Sequence, residues 1–214
     1  MRFNWDAVEA YAEAHSTPSG ELFERLGDET RRSQNFPQMM IGRVGGAFLS
    51  FVVGMKQPHR VLEIGTFTGW SSIAMASALP AGATLVTCDV NEETNAIARR
   101  YAEEAGVTDR IDYRLGPALE TVAALDGPFD LVFIDADKGG YVDYYEAVLP
   151  KLADDGVILV DNTLSGGDAL APDGPSSEAI ARFNDHVRAD GRVECVLLTV
   201  RDGITLIRKR RARP

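Results

Sequence analysis

Residues 61–72 read VLEIGTFTGWSS, and this stretch decides the fold. Its first four residues form a short run typical of a buried β-strand, and residues 71–78 are typical of a helix. Gly65 and Gly69 lie in the turn between them. The free amides of such a turn and of the first helical residues can bind the polar end of a ligand. The glycine spacing differs from GxGxxG and is less suited to a pyrophosphate, so a plain strand-to-helix connection is the alternative.

From Arg60 onward, short β-forming runs alternate with helical stretches. The predicted strands are 61–64, 84–88, 111–114, 131–134 and 157–160, and the predicted helices are 71–78, 94–105, 118–125, 144–152 and 178–189. Buried strands joined by helices predict a doubly wound, Rossmann-like α/β fold with a mostly parallel sheet. Two further strands, 193–200 and 204–207, flank Asp202-Gly203, which is a strong hairpin signal. The C-terminal strand is therefore expected to run antiparallel.

The first third of the chain is predicted to be helical. One helix runs from Trp5 to His15, and a second is opened by Thr17-Pro18, an N-cap followed by proline. A third helix carries a single apolar face that must pack on the rest of the protein. That face consists of Val44, Ala47, Phe48, Phe51 and Val52. We expect one domain, residues 1–214, with 1–57 as a helical N-terminal cap and 58–214 as the α/β core.

The composition excludes several classes of function. Of the 214 residues, 45% are hydrophobic and 25% are charged, as in ordinary globular proteins. The 22 lysines and arginines against 32 aspartates and glutamates give a formal net charge of -10, which disfavours binding to DNA or to an anionic membrane. Basic residues cluster at 208–213, where a solvated tail is favoured over a nucleic-acid or membrane arm.

The cysteines and the apolar stretches indicate a compartment. Cys88 and Cys195 both lie in apolar runs and are expected to be small buried side chains rather than disulfide partners. The N-terminus lacks the apolar core of a signal peptide, and we expect no stretch of ~20 residues to be apolar enough to span a membrane. These features predict a cytoplasmic protein in a reducing environment.

Polar residues follow three of the predicted strands, where ligands bind in open α/β sheets. Asp89 follows the second strand, where an acid can hold the hydroxyls of a ribose, and capping of the next helix is the alternative. Asp135 and Asp137 follow the fourth strand, and Asp161-Asn162 follows the fifth. Neighbouring strand ends lie ~5 Å apart, so Asp135, Asp161 and Asn162 can share a cation, and oxygen donors favour Mg²⁺ over zinc. Ordinary helix caps are the alternative.

Four stretches together resemble the cation-dependent class I O-methyltransferases, the family that includes the catechol and caffeoyl-CoA enzymes. They are VLEIGTFTGWSS at 61–72, FDLVFIDADK at 129–138, GVILVDN at 156–162 and DGITL at 202–206. The resemblance covers residues 38–209. It implies a homodimeric enzyme that transfers a methyl group from S-adenosylmethionine to a hydroxyl of a small catechol-like or hydroxylated aromatic acceptor, with Mg²⁺ or another divalent cation.

The resemblance also implies residue roles. The implied cofactor residues are Met40, Glu63, Gly65, Thr66, Ser71, Asp89, Pro117, Ala118, Asp135 and Asp137. The implied metal ligands are Asp135, Asp161 and Asn162. Lys138 would lie beside the reacting hydroxyl and remove its proton, and an ion pair with Asp137 is its alternative role.

Substrate choice and some rival functions stay open. Gly139-Gly140 departs from the family, in which asparagine is common two places after the lysine. The loop at 165–175 is expected either to close over the acceptor or to be a surface connector. A nicotinamide-dependent reductase, a metal-dependent glycosyltransferase and an inactive S-adenosylmethionine-binding protein are the alternatives. The glycine spacing and the lack of a Tyr-x-x-x-Lys pair disfavour the reductase, and Asp161-Asn162 is unexplained in the glycosyltransferase.

Overall fold

A computed structural model describes residues 5–210, except for the side chain of Asp6, and shows a seven-stranded sheet flanked by helices. The helices are α1 (Trp5–Ala14), α2 (Glu21–Ser33), α3 (Gly42–Lys56), α4 (Trp70–Ala78), α5 (Glu92–Glu104), α6 (Ala118–Ala124), α7 (Tyr141–Val148) and α8 (Pro175–Ala189). The strands are β1 (Arg60–Ile64), β2 (Thr84–Asp89), β3 (Ile111–Leu115), β4 (Phe129–Ile134), β5 (Leu152–Val160), β6 (Val193–Leu198) and β7 (Ile204–Lys209).

The strand order in the sheet is β3-β2-β1-β4-β5-β7-β6. The five strands β1 to β5 pair in parallel, whereas β7 pairs antiparallel with both β5 and β6. The predicted doubly wound sheet with an antiparallel C-terminal strand is thereby confirmed. After β3 the chain returns to the middle of the sheet and adds β4 beside β1, so the direction of winding reverses between these two strands. Ligands of open α/β sheets bind at such a switch point.

Side chains alternate between the two faces of the sheet and build a separate core on each. Val61 packs into the core covered by α3, α4 and α5, whereas Leu62 and Ile64 pack into the core covered by α6, α7 and α8. The second core contains Phe183 of α8, whose ring meets that of Tyr145 of α7 edge-on, with centroids 6.3 Å apart. The central strands are therefore buried on both faces, which holds their carboxyl ends in fixed positions.

Two predictions for the N-terminal helices need correction. The second helix begins at Glu21 instead of at Thr17-Pro18, because Gly20 before it has a φ of 89° that is not helical. In α3 the buried residues are Gly45, Gly46, Leu49 and Val53. Of the predicted face, Phe48 and Val52 are partly buried against the core, whereas Phe51 is 68% exposed. The buried face is the glycine-containing one because α3 packs closely on α4, where a Cβ on Gly46 would lie 2.6 Å from Nε1 of Trp70.

The expectation about membrane-spanning stretches is wrong for one segment. Among the described residues, Pro37–Lys56 is long and apolar enough to cross a membrane by length and composition, with a mean hydropathy of 1.3 over its most apolar window. Only 28% of that window is buried. The segment packs on α4 through the face that carries Gly46, and length and composition alone assign it no membrane role.

The remaining differences lie at element ends and at the sheet edge. Cys88 is buried as predicted, but Cys195 is exposed because it lies on the edge strand β6, most of whose residues are uncovered. Helices α7 and α8 each begin three residues earlier than predicted, the latter with Pro175 in its first turn. Arg208 of the basic C-terminal stretch pairs with Glu194 at 2.8 Å. Residues 211–214, the end of the predicted tail, lie outside the described residues.

Candidate active site

The central strands continue their hydrogen bonding one residue past their ends. The amide of Asp135, just after β4, donates to the carbonyl of Ile64 at 2.9 Å, and the amide of Asp161, just after β5, donates to the carbonyl of Ile134 at 3.0 Å. Asn162 then adopts a φ of 58°, a left-handed conformation that asparagine tolerates. The parallel register therefore brings Asp135, Asp161 and Asn162 to one edge of the sheet, as the sequence predicted.

Gly65 follows β1 and lies directly against the chain after β4. Its φ is 100°, and a Cβ at this position would lie 1.8 Å from the backbone oxygen of Asp135. Only glycine fits this approach, because any side chain would collide with backbone that cannot move away. The turn after β1 is thereby placed beside Asp135, and both open onto the same cavity.

Asp89 organises the glycine turn from the neighbouring strand end. Its Oδ2 accepts the amides of Thr66 and Phe67 at 3.0 and 2.8 Å, and its Oδ1 accepts the amide of Asn91 at 2.9 Å. A carboxylate has about four acceptor sites, so Asp89 keeps capacity for a ligand hydroxyl. The cap of α5 is Asn91, whose side chain accepts two amides of the first turn. The capping alternative for Asp89 is therefore wrong.

Glu63 is fully buried beneath the turn, on the face of β1 covered by α4. Its Oε2 accepts hydrogen bonds from the hydroxyls of Ser72 and Thr87, the latter at 2.6 Å, while Oε1 has no partner among the described residues. Burial raises the pKa of this carboxyl to about 7; the hydroxyls of Ser71, Ser72 and Thr87 oppose the shift, and the charge of Asp135 adds to it. Glu63 thus lies behind the cavity wall, and its implied role towards the cofactor stays a prediction.

A lysine ammonium joins the oxygens that were predicted to bind metal. Nζ of Lys138 donates to Oδ1 of Asn162 at 2.5 Å, to the hydroxyl of Tyr141 at 2.6 Å and to Oδ1 of Asp135 at 3.1 Å. The Tyr141 hydroxyl in turn donates to the backbone oxygen of Asp161 at 3.1 Å. Asp161 is 1% exposed, and its Oδ1 lacks a hydrogen-bond partner within the described part of the chain. The candidate ligands and Lys138 therefore form one compact cluster.

Electrostatics at this cluster are unfavourable for two bare carboxylates. Burial raises the pKa of Asp161, and the neighbouring charge of Asp135 raises it further, while Arg201 and Lys138 act in the opposite direction. Burial also raises the pKa of Tyr141 well above its usual value, so the phenol stays protonated and remains a donor. Within residues 5–210 no group of three or more histidine, cysteine, aspartate or glutamate side chains could hold a metal, and the third oxygen donor here is the amide of Asn162.

A cavity of ≈ 510 Å³ lies along the carboxyl ends of β1, β2, β4 and β5. The sequence-predicted residues that line it are Met40, Gly65, Thr66, Ser71, Asp89, Ala118, Asp135, Asp137, Lys138, Asp161 and Asn162. Two predicted cofactor residues, Glu63 and Pro117, do not line it, although Gly116 and Ala118 beside Pro117 do. The loop at 165–175 does not reach the cavity either. The residue just before this loop is held against the β6–β7 turn, where the amide of Leu164 donates to the carbonyl of Asp202 at 2.8 Å.

Two residues that the sequence analysis missed also line the cavity. Tyr144 donates its hydroxyl to Oδ1 of Asp137. Its ring lies so close to Gly140 that a Cβ there would be 2.6 Å from ring atoms, which explains why this chain has glycine at that position. Arg201 enters from the β6–β7 turn. A sequence signal existed for Tyr144, which follows Tyr141 by one helical turn, but none pointed to Arg201.

A doubly wound sheet of this topology, with a glycine turn and acidic strand ends around one cavity, defines the chain as a class I methyltransferase. It belongs to the O-methyltransferase family, whose family model matches residues 13–210. A caffeoyl-CoA O-methyltransferase of Zea mays is 38% identical over 178 residues, covering 77% of this chain and 69% of that protein.

Solved structures support the same assignment. A methyltransferase of Podospora anserina bound to S-adenosylhomocysteine superposes with a TM-score of 0.91 at 30% identity, covering 99% of this chain and 98% of that one. An O-methyltransferase of Bacillus cereus, also in complex with S-adenosylhomocysteine, gives 0.86 at 30% identity, with 96% and 98% covered. The protein is therefore an S-adenosylmethionine-dependent O-methyltransferase, and the reductase alternative is not favoured.

Proposed function

We propose that this enzyme methylates a hydroxyl of a small catechol-like or hydroxylated aromatic acceptor and that it uses a divalent cation. The observation that carries the proposal is the convergence of Asp135, Asp161 and Asn162 with Lys138 at one end of the cavity. The opposite end, beside Asp89 and Ala118, is the place for the adenosine of S-adenosylmethionine. The Gly65 turn between them would face the sulfonium, so donor methyl and acceptor oxygen would meet at the centre.

The residues present fit a hard divalent cation such as Mg²⁺. Asp135, Asp161 and Asn162 offer oxygen atoms and no thiolate or imidazole, which is the donor chemistry of Mg²⁺. The buried Oδ1 of Asp161 lacks a partner among the residues described. A bound cation would remove the free-energy cost of leaving this acceptor unsatisfied. A cation bound by these residues would lower the pKa of a chelated hydroxyl and orient it.

Lys138 is the residue that we assign to take the acceptor's proton. Its Nζ is held by Asp135, Tyr141 and Asn162, so it is aimed at the place where an acceptor hydroxyl would meet the oxygen cluster. Lys138 can take this proton only as the neutral amine, so that is the form that reacts. As the proton passes to this amine, the acceptor oxygen forms a bond to the methyl carbon. The bond from that carbon to sulfur breaks, and the sulfonium becomes the neutral thioether of S-adenosylhomocysteine. Alignment of the two reactants by rigid strand ends would supply much of the acceleration.

The decisive experiment is a screen of dihydroxyphenyl acceptors with labelled methyl donor, using protein stripped with EDTA and then assayed with and without Mg²⁺. We expect methylated product that depends on the added cation. Asp161→Ala should abolish the cation-dependent methylation and leave the fold intact. Asp154→Ala is the matched control, because it removes a fully exposed carboxylate at the far end of the same strand. Full activity of the stripped protein without cation would refute the metal assignment.

A homodimer is also part of the proposal, since the resemblance implies one. It is supported by large apolar side chains left uncovered on two elements: Phe51 and Met55 on α3, and Val196 and Leu197 on β6. Light scattering during gel filtration tests this, and a mass of a single 23.2 kDa chain at micromolar concentration would contradict it.

A further inference from the structure

Arg201 is held rigidly at the acceptor end of the cavity. It lies in the turn between β6 and β7 with a φ of 48°, a left-handed conformation that is unusual for a residue with a side chain. Its side chain is only 15% exposed, and its Cδ lies 3.3 Å from the position of a Cβ on Gly45 of α3. The lack of a side chain on Gly45 leaves room for the stem of Arg201. An uncommon backbone conformation and close packing thus fix where this cation points.

The guanidinium is anchored through one nitrogen and leaves the others available. Nε donates to Oε1 of Glu9 on α1 at 3.1 Å. Nη1 lies 3.7 Å from Oδ2 of Asp161, which is an electrostatic contact but too long for a hydrogen bond. Among the described side chains, which do not include that of Asp6, the hydrogen bond to Glu9 is made by Nε and none is made by Nη1 or Nη2, and Arg201 lines the cavity. Its outer edge therefore presents unused donors to whatever occupies the cavity.

We propose that Arg201 selects acceptors that carry a carboxylate on the aromatic ring or on a short side chain. This inference rests on the proposed function, because it concerns the acceptor of that reaction. A guanidinium offers two parallel N–H groups that match the two oxygens of a carboxylate. The contact to Asp161 places this edge beside the oxygen cluster, so an acceptor whose hydroxyl lies at Lys138 can turn its anionic group towards Arg201. Partly buried donors that gain a charged acceptor bind it more strongly than exposed ones.

Glu9 positions this arginine from the N-terminal cap. Its ion pair engages Nε and leaves the two Nη atoms out of this contact. The same contact ties α1 to the β6–β7 turn, which are 192 residues apart in sequence. The N-terminal cap thereby contributes to acceptor choice without lining the cavity at Glu9 itself.

The test compares two probes of nearly identical shape, protocatechuate and its neutral primary amide. Calorimetry with enzyme saturated with S-adenosylhomocysteine and Mg²⁺ measures the affinity of each for the wild type and for Arg201→Gln, Arg201→Lys and Arg43→Gln. Arg43 is the matched control: it lies on α3, pairs with Glu24 at 2.5 Å and does not line the cavity. Removing it changes the net charge equally but leaves the pocket as it is.

We expect the wild type and Arg43→Gln to bind the carboxylate about tenfold or more tightly than the amide, as for a hydrogen-bonded charge pair. Arg201→Gln should lose this preference, and Arg201→Lys should keep part of it, because the charge remains but the paired N–H groups do not. The inference is overturned if the wild type shows no preference, if Arg201→Gln keeps it, or if neither probe binds. If Arg201→Gln does not fold, an undiminished preference in Arg201→Lys overturns the paired-donor geometry.

Methyl transfer measured on the same probes separates this inference from the proposed function. If binding prefers the carboxylate and this preference depends on Arg201, but neither probe is methylated, the proposed acceptor class is wrong and the role of Arg201 in carboxylate binding stands. If both probes bind with equal affinity and are methylated equally, the proposed acceptor class stands and the role of Arg201 is wrong.

Discussion

We expect the wild-type protein to lose stability as the pH rises because of Glu63. Replacing Glu63 with glutamine should remove this pH-dependent loss. The carboxyl has a usual pKa of 4.5, and burial raises it to about 7 in the folded protein. Between these two values the unfolded chain has released the proton while the folded chain retains it, so rising pH favours unfolding. Each pH unit in that window corresponds to about 1.4 kcal/mol, which makes the full effect about 3 kcal/mol. It is absent below the lower value and complete above the upper one.

The assay is urea unfolding of ligand-free protein, wild type and Glu63→Gln, at about pH 5.5 and about pH 8.5. The lower pH stays above the isoelectric point of ≈ 4.8, where solubility is least. Because part of the effect has already occurred by then, the stability of the wild type relative to the glutamine variant should fall by about 2 kcal/mol between the two conditions. Other titrating groups cancel in this difference.

Ser72→Ala is the matched control for Glu63→Gln. It removes a hydroxyl that opposes the raised pKa but keeps the carboxyl, so its pH dependence should be at least as large as that of the wild type. If the gap between wild type and Glu63→Gln is constant to within about 0.5 kcal/mol across the range, the raised pKa and the reasoning behind it are wrong.

Three further changes probe the site. Lys138→Ala should lower kcat about 100-fold or more with little change in the Kd of S-adenosylhomocysteine; a loss confined to cofactor affinity in calorimetry would show that Lys138 does not handle the proton. Gly65→Ala should cost more than about 3 kcal/mol in urea unfolding, because its Cβ would lie 1.8 Å from the Asp135 carbonyl oxygen; wild-type stability would contradict that contact. Gly140→Ala should displace the Tyr144 ring and its hydrogen bond to Asp137, an implied cofactor residue, raising the KM for S-adenosylmethionine while costing only about 1 to 2 kcal/mol of stability; an unchanged KM would separate Tyr144 from cofactor binding.

The sheet could be predicted because its signals are local and repeated. Each central strand is a short apolar run between helical stretches, and Asp202-Gly203 predicts a hairpin and therefore an antiparallel C-terminal strand. The packing of α3 could not be predicted in the same way. Periodicity identified an apolar stripe of which Phe48 and Val52 do pack against the core, but Phe51 is exposed. The face that meets Trp70 instead carries Gly46, where a Cβ would lie 2.6 Å from Nε1 of Trp70. Apolar spacing does not reveal which face a neighbouring helix can approach most closely.

The acidic strand ends could also be predicted, since parallel register brings adjacent ends together wherever the strands are neighbours. The sequence did not predict the contacts that residues far away in the chain make with this cluster. Arg201 reaches the cluster from a turn 40 positions beyond Asp161, and Glu9 reaches Arg201 across almost the whole chain. Neither has a motif, because an arginine before Asp-Gly and a glutamate on an amphipathic helix are ordinary surface residues until the fold encloses them.

Charge balance explains why the cluster needs both of its cations. Burial disfavours the ionised form of Asp161, and the neighbouring charge of Asp135 adds to that cost. Lys138 and Arg201 offset it from opposite sides, one by hydrogen bonds to Asp135 and Asn162, the other by its charge near Asp161. Removal of either cation leaves a buried carboxylate less compensated, which is destabilising. Variants at these positions therefore change the free energy of unfolding as well as the chemistry, and the comparison of kcat with cofactor affinity distinguishes the two effects.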